Sequence, residues 1–214
     1  MNQQDQPKRQ VIRPNTIDWD EMYRQNEAVW SGQVNGSLAV EVEGLTAGRA
    51  LDVGCGEGAD AIWLAERGWD VVAFEISPTA VDRGRTEAEL RGLAIDWRAA
   101  DVVAPRTELG GFDLVSLQYP AFAAERRAEV VQFLTSAVTP GGTLLLVGHA
   151  PHANPEDSSF DRADWVTVED VAADLDGRQD WLVEAHETRL RPGDHHHASP
   201  HTHDVVVRAK RVSA

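Results

Sequence analysis

Three glycines spaced by single residues, Gly54, Gly56 and Gly58, stand where an apolar run, Ala50–Val53, gives way to helically spaced Ile62, Leu64 and Ala65. Strand, glycine turn and helix in that order make a loop whose missing side chains let a ligand approach the backbone. The N–H groups of the following helix face that ligand. The spacing is G-x-G-x-G, one residue short of the G-x-G-x-x-G loop that seats a dinucleotide pyrophosphate. Asp52 stands two residues before the first glycine. A carboxylate there repels a pyrophosphate and suits a cationic or zwitterionic ligand. The alternative is a tight turn that binds nothing.

The rest of the chain repeats the alternation. The spacing predicts a helix over 59–67 closed by Gly68, and a strand over 70–74. A helix follows from Ser77-Pro78, a capping hydroxyl ahead of a first-turn proline, to about Arg91. Strands are expected over 95–99 and 112–117, a helix over 125–138, a turn at Pro140-Gly141-Gly142 and a strand over 143–148. Thr167-Val-Glu-Asp170 opens a capping-box helix ending near Gly177, and strands follow over 181–190 and 204–210. Strands alternating with helices imply an α/β fold, a parallel sheet with helices on both faces. The last two strands leave no room for a crossover helix, so the last is antiparallel. At ~100–200 residues per domain, 214 residues make one domain. We place it at 18–214, after a polar tail at 1–17 read as mobile. Residues 18–43 are amphipathic and helical, interrupted at Gly32 and Gly36.

Charge and cysteine narrow the setting. Lys plus Arg is 20 against 35 Asp plus Glu, a net −15. Nucleic acid is bound by cations that displace phosphate counterions, so neither nucleic acid nor an anionic membrane is expected as partner. No apolar run approaches the ~20 residues needed to span a bilayer. Met1-Asn-Gln-Gln-Asp-Gln-Pro-Lys-Arg-Gln10 is not a secretory leader. Cys55 is the only cysteine. It forms no intramolecular disulfide, which fits a reducing cytoplasm.

With these motifs in place, the loop Asp52-Val-Gly-Cys-Gly-Glu-Gly58 resembles the first motif of class I S-adenosylmethionine-dependent methyltransferases. Phe112-Asp-Leu-Val-Ser-Leu-Gln118 resembles the family's fourth-strand motif and Thr139-Pro-Gly-Gly-Thr-Leu144 its fifth. The resemblance covers about residues 18–211. It implies a Rossmann-like seven-stranded sheet with the last strand antiparallel, and S-adenosylmethionine as cofactor. It implies that Gly54, Cys55, Gly56 and Gly58 cradle that cofactor above Asp52. Glu75, at the end of the second strand, would meet the ribose, with Ile76 after it among the cofactor contacts. Asp101 and the backbone N–H of Val102 would meet the adenine, and Gln118 is among the cofactor contacts. Cys55 reads as a small loop residue, not a nucleophile.

The marks of base methylation after the fourth strand are missing, since the residues there are Gln118-Tyr119-Pro120. A small-molecule acceptor is therefore expected. Trp19, Tyr23 and Trp30 look like the entry of the small methyltransferases related to thiopurine, halide and tellurite-resistance enzymes. In that group N-terminal aromatics cover the cofactor, so 18–43 reads as a helical lid with Trp30 among the cofactor contacts. An aromatic face suits a sulfonium as it suits a quaternary ammonium. The competing reading is that these aromatics only pack their helix on the sheet. Methyl transfer is an in-line displacement in which the protein mainly aligns the reactants. A thiolate, selenide or halide acceptor needs no base; a hydroxyl or amine does, and His149 and Tyr119 are the candidates.

Seven of the eight histidines fall towards the strand ends that would face the cofactor. Five of them, including His195, His197 and His201, lie in the connection 191–203 between the last two strands. Imidazoles among carboxylates suit zinc, nickel or copper, so a divalent transition metal on His195, His197 and His201 is one expectation. An inert solvated loop and a substrate-contact role are the others. A non-catalytic cofactor- or metal-binding protein built on this loop is the alternative function.

Overall fold

The computed structural model describes residues 12–104, 109–151, 161–192 and 202–212. Seven strands form one sheet in the order β3-β2-β1-β4-β5-β7-β6. They are β1 (Arg49–Val53), β2 (Asp70–Glu75), β3 (Asp96–Ala99), β4 (Phe112–Gln118), β5 (Val138–His149), β6 (Trp181–Leu190) and β7 (His203–Arg211). β1 to β5 pair in parallel, while β7 is antiparallel to both β5 and β6. The expected seven-stranded architecture with an antiparallel last strand is present.

Six helices flank the sheet: α1 (Trp19–Gln25), α2 (Gly36–Val42), α3 (Ala59–Ala65), α4 (Pro78–Leu90), α5 (Arg127–Ala137) and α6 (Val168–Leu175). Alternation along the strands sorts the core into two layers. Leu51, Val53, Val115, Leu117, Leu144 and Leu146 face α5 and α6. Ala50, Ala73, Leu114, Leu145, Val147 and Val206 face α2 and α3. By the same alternation Asp52, Glu75, Gln118, His149 and Asp204 continue this second face. They lie at the C-terminal ends of β1, β2, β4 and β5 and at the start of β7. One face and one edge of the sheet therefore collect the acids and the histidine.

Two stretches depart from the sequence reading. The turn expected at Pro140-Gly141-Gly142 lies inside β5, as an irregularity between the pairs Phe112↔Val138 and Leu114↔Thr143, with Gly141 at φ +83°. The segment 18–43 holds two seven-residue helices rather than one interrupted helix. Residues 26–35 cross between them in irregular form. Asp18 caps α1 by accepting from Glu21 N. Glu41, buried on α2, accepts from Arg189 (2.5 Å) and Arg208 (2.9 Å), which bolts that helix to β6 and β7. Of the proposed tail, residues 1–11 lie outside the described residues; Pro14–Thr16 form a 3-10 turn, and Asn15 bonds Glu125. No described helix is long and apolar enough to cross a membrane.

Candidate active site

All three glycines of the loop have positive φ: +68°, +55° and +82° at Gly54, Gly56 and Gly58. They serve different ends. A side chain at Gly58 would collide with the Trp97 ring, so this glycine lets β3 pack against the loop. At Gly54 nothing lies within 4 Å of where a Cβ would stand. At Gly56 the Tyr23 hydroxyl and the Trp30 indole nitrogen lie 2.9 and 3.1 Å from that position. The loop is thus open at its first glycine and roofed by aromatics at its second. Cys55 donates its backbone N–H to Phe74 O. Burial, with Asp52 and Glu75 nearby, pushes its thiol well up, so it stays protonated and unreactive.

Beneath the loop lies a set of buried acceptors. Glu75 takes one N–H on each carboxylate oxygen, from Gly56 (3.1 Å) and Ser77 (3.0 Å). Each oxygen keeps a lone pair for a further donor. Asp52 is 2% exposed, and its Oδ2 has no hydrogen-bond partner. Gln118 donates to Ser116 Oγ (2.9 Å), and its Oε1 is likewise buried without a partner. Asp52 pairs in register with Ser116, so these two oxygens sit on one face of adjacent strands. Buried polar atoms are normally satisfied, and two orphaned acceptors call for a donor from outside the chain. An ammonium group answers both. Ile76, just past Glu75, is 53% exposed.

Asp60 was not singled out from the sequence. Buried in the first turn of α3, it accepts from Asn35 N and Nδ2, each at 2.7 Å. Burial raises its pKa and, with the Asp60 charge added, raises that of Asp52 well above the ordinary 3.8. With no cation beside Asp52, the folded protein therefore holds a proton that the unfolded chain releases near pH 4. Stability falls as pH rises through the window between the ordinary and the raised value. Asp52→Asn should flatten this decline and raise the melting temperature at pH 8 above that of the unmodified protein. It should at the same time weaken cofactor binding. Melts across pH 5–9 check the slope, and calorimetry checks the affinity.

Two charged side chains tie the segment 18–43 to the glycine loop. Glu57, in the glycine loop, accepts from Val29 N (3.2 Å) and Trp30 N (3.1 Å). Arg83, on α4, bonds Glu57 (2.8 Å) and donates to the carbonyls of Tyr23 (2.8 Å) and Asn26 (2.7 Å). Trp30 Nε1 donates to the Tyr23 hydroxyl at 2.8 Å. Tyr23 is core at 2% exposed, whereas Trp30 is 56% exposed. Trp19 is half-buried. Tyr23 thus packs in the core, and Trp30 lies exposed beside Gly56. Arg83→Ala removes charge-assisted bonds of ~1.5–3 kcal/mol in total. We expect S-adenosylhomocysteine affinity to fall about tenfold, mostly through faster dissociation, and trypsin to cut sooner at Arg24. Stopped-flow binding and a digestion time course measure both.

Past the end of β3, Asp101 bonds Arg126 (2.8 Å) and takes Val103 N (3.2 Å), while Val102 is buried. Beyond Gln118 lies a second cluster. Tyr119 has φ +52°, the only positive value among described non-glycine residues. A bulky residue there costs ~1–3 kcal/mol, and such strain gathers at functional sites. Its ring stacks on His149 at 4.3 Å, and its hydroxyl donates to Asp204 at 3.2 Å. Asp204 is fully buried and also accepts from Ser37 (2.9 Å) and from Arg191 (3.1 and 3.0 Å). Burial first, then the Asp204 charge, pushes the Tyr119 phenol upwards, so it stays protonated. The sequence reading missed Arg191 and Asp204 as site residues. Their only signal was an acid one residue before the apolar run Val205–Val207. The register His149↔Asp204 needs the antiparallel pairing to be visible.

His195, His197 and His201 lie outside the described residues, as does His152. Among the described residues no group of three or more His, Cys, Asp or Glu is placed to hold a metal.

A methyltransferase-domain family model matches residues 50–142. The 2-heptyl-1-hydroxyquinolin-4(1H)-one methyltransferase of Mycobacteroides abscessus is 30% identical over 173 residues, 71% of this chain and 76% of that one. The tRNA 5-carboxymethoxyuridine methyltransferase of Escherichia coli K12 is 34% identical over 108 residues, 49% of this chain and 41% of that protein. In fold, the chain resembles the N-methyltransferase NodS of Bradyrhizobium japonicum WM9, solved with S-adenosylhomocysteine. The TM-score is 0.69 at 17% identity, covering 91% of this chain and 98% of that one. The chain belongs to the class I S-adenosylmethionine-dependent methyltransferases. It is an enzyme of that class, and its cofactor is S-adenosylmethionine.

Proposed function

We propose that this enzyme methylates a small-molecule acceptor bound beside Tyr119 and His149. The observation that carries the reading is the pair of orphaned acceptors, Asp52 Oδ2 and Gln118 Oε1, on the sheet face that the His149 cluster extends. They suit the ammonium end of the cofactor. Glu75 keeps lone pairs for the ribose hydroxyls, and Ile76 and the Val102 N–H suit the adenine. Gly54, Cys55, Gly56 and Gly58 provide the backbone floor, and Trp30 the wall above it. The bound cofactor supplies an electrophilic methyl on sulfur. The chain's task is to exclude water with the Trp30 wall and to hold an acceptor atom in line. Tyr119 positions rather than deprotonates, because its proton is committed to Asp204.

The Mycobacteroides relative acts on a quinolone, which supports a small planar acceptor. The tRNA enzyme matches over under half its length, and the net charge of −15 opposes a polyanionic substrate. Labelled S-adenosylmethionine tested with hydroxyquinolones, phenols, thiols, halides, amines and bulk tRNA decides the point. Label is expected in a small acceptor. Label in tRNA alone would reverse the reading.

A further inference from the structure

Asp204 and Arg191 do more than fill a buried corner. A guanidinium carries five N–H donors and no acceptor. Arg191 Nη2 stands 2.9 Å from His149 Nδ1. The Nδ1 lone pair must therefore face the guanidinium, and the ring proton is on Nε2. We propose that Arg191 fixes His149 as an N–H donor, so that this site methylates small acceptors already ionised at oxygen or sulfur, with neither His149 nor Tyr119 as base.

This rests on the reading of a small-molecule methyltransferase and names its substrate class: acidic phenolic, N-hydroxy or thiol groups. Three contacts hold the arrangement. Arg191 is itself pinned, its side chain 11% exposed and both Nε and Nη2 on Asp204 Oδ1. The Tyr119 ring stacks on the imidazole, and the Arg191 guanidinium lies 5.1 Å from the centre of the same ring. Arg162, ahead of α6, donates to the His149 carbonyl at 3.1 Å. Among the described residues, the charged groups facing this histidine are Arg191 from the end of β6, Asp204 from β7 and Arg162 at its backbone. A second proton on Nδ1 would point at Arg191. For His149 to act as a base, the guanidinium must leave or the ring must turn. Tyr119, the other candidate, has its proton held by a carboxylate. With both committed, the acceptor gives its proton to water before the step. An electron pair of the ionised acceptor forms the new bond to the methyl carbon. The carbon–sulfur bond breaks with its pair returning to sulfur, and no proton moves.

The test uses the full chain and a series of phenols graded from nitrophenols to unsubstituted phenol, with labelled S-adenosylmethionine. The expected rate at pH 7.5 follows the ionised fraction, with phenol more than a hundredfold slower than the most acidic member. The break in each pH profile should move with the acceptor's own pKa. His149→Gln, which keeps an N–H donor and cannot take a proton, should lose less than tenfold in kcat, and His149→Ala more. A general base contributes about 10²–10⁴-fold. A hundredfold loss in His149→Gln, with a break common to all acceptors in the unmodified protein, overturns the proposal. Long-range ¹H–¹⁵N spectra of histidine-labelled protein, with His149→Gln for assignment, read the tautomer directly. Nε2–H is expected, with Nδ1 unprotonated; an Nδ1–H signal in the unmodified protein overturns the proposal. If no small acceptor is labelled while S-adenosylhomocysteine still binds, the small-molecule reading fails, and the spectra alone decide the role of Arg191.

Discussion

Gly56→Val should abolish measurable cofactor binding while leaving the sheet folded. Two costs coincide at this position. The backbone sits at φ +55°, which a β-branched residue resists. The new Cβ would also stand 2.9 Å from the Tyr23 hydroxyl and 3.1 Å from Trp30 Nε1, displacing the lid from the loop. We expect S-adenosylhomocysteine affinity to fall at least about a hundredfold, on the order of 3 kcal/mol. Gly68→Ala is the control. It carries the same kind of strain, at φ +84°, with nothing within 4 Å and far from the lid. It should cost ~1–2 kcal/mol of stability and leave affinity unchanged. Equal affinities in all three proteins would show that the loop is a turn and not a cradle.

The second large effect is on stability. Asp204→Ala leaves Arg191 facing no counter-charge and strips the Tyr119 and Ser37 hydroxyls of their acceptor. Breaking a buried pair by removing one partner costs about 3–5 kcal/mol. For a chain of this size that is a melting temperature lower by roughly 10 °C. Asp204 is fully buried and the Arg191 side chain is 11% exposed, so solvent screens this pair little. Asp82→Ala gives the contrast. Its partner is Arg85 at 2.6 Å, but the Asp82 side chain is 72% exposed, and the melt should barely move. Similar shifts in the two variants would mean that water reaches Asp204. Because Ser37 belongs to α2 and Tyr119 to the acceptor side, the same loss should loosen both.

The order of elements was legible from local rules. Ser77-Pro78 opens α4, with the Ser77 hydroxyl accepting from Ala80 N, and Thr167 and Asp170 form the capping box that opens α6. Gly68 ends the α3 turn in a left-handed conformation. Caps and left-handed ends are decided by residues within one turn of each other, which is why the sequence discloses them. The split of 18–43 was less legible. Seven-residue helices have little stability alone, and their ends depend on Asp60 meeting Asn35 and on Glu41 meeting Arg189 and Arg208.

Asp52, Gly54, Gly56 and Glu75 could be named in advance, because the strand–turn–helix unit brings them together within some twenty-five residues of chain. The acceptor side could be named only in part. His149 and Tyr119 stand at strand ends that the alternation identifies, but Arg191 and Asp204 reach them from a hairpin more than forty residues later. That meeting depends on β7 inserting between β5 and β6, a choice of strand order that no local pattern encodes. By itself the sequence determined the class of fold, the glycine loop and the acids that stand beneath it, all set by short-range chemistry. Only the tertiary structure decided which nitrogen of His149 meets Arg191, which aromatic lies over the loop and which acid is buried, because each depends on groups that long-range strand pairing brings within hydrogen-bond distance.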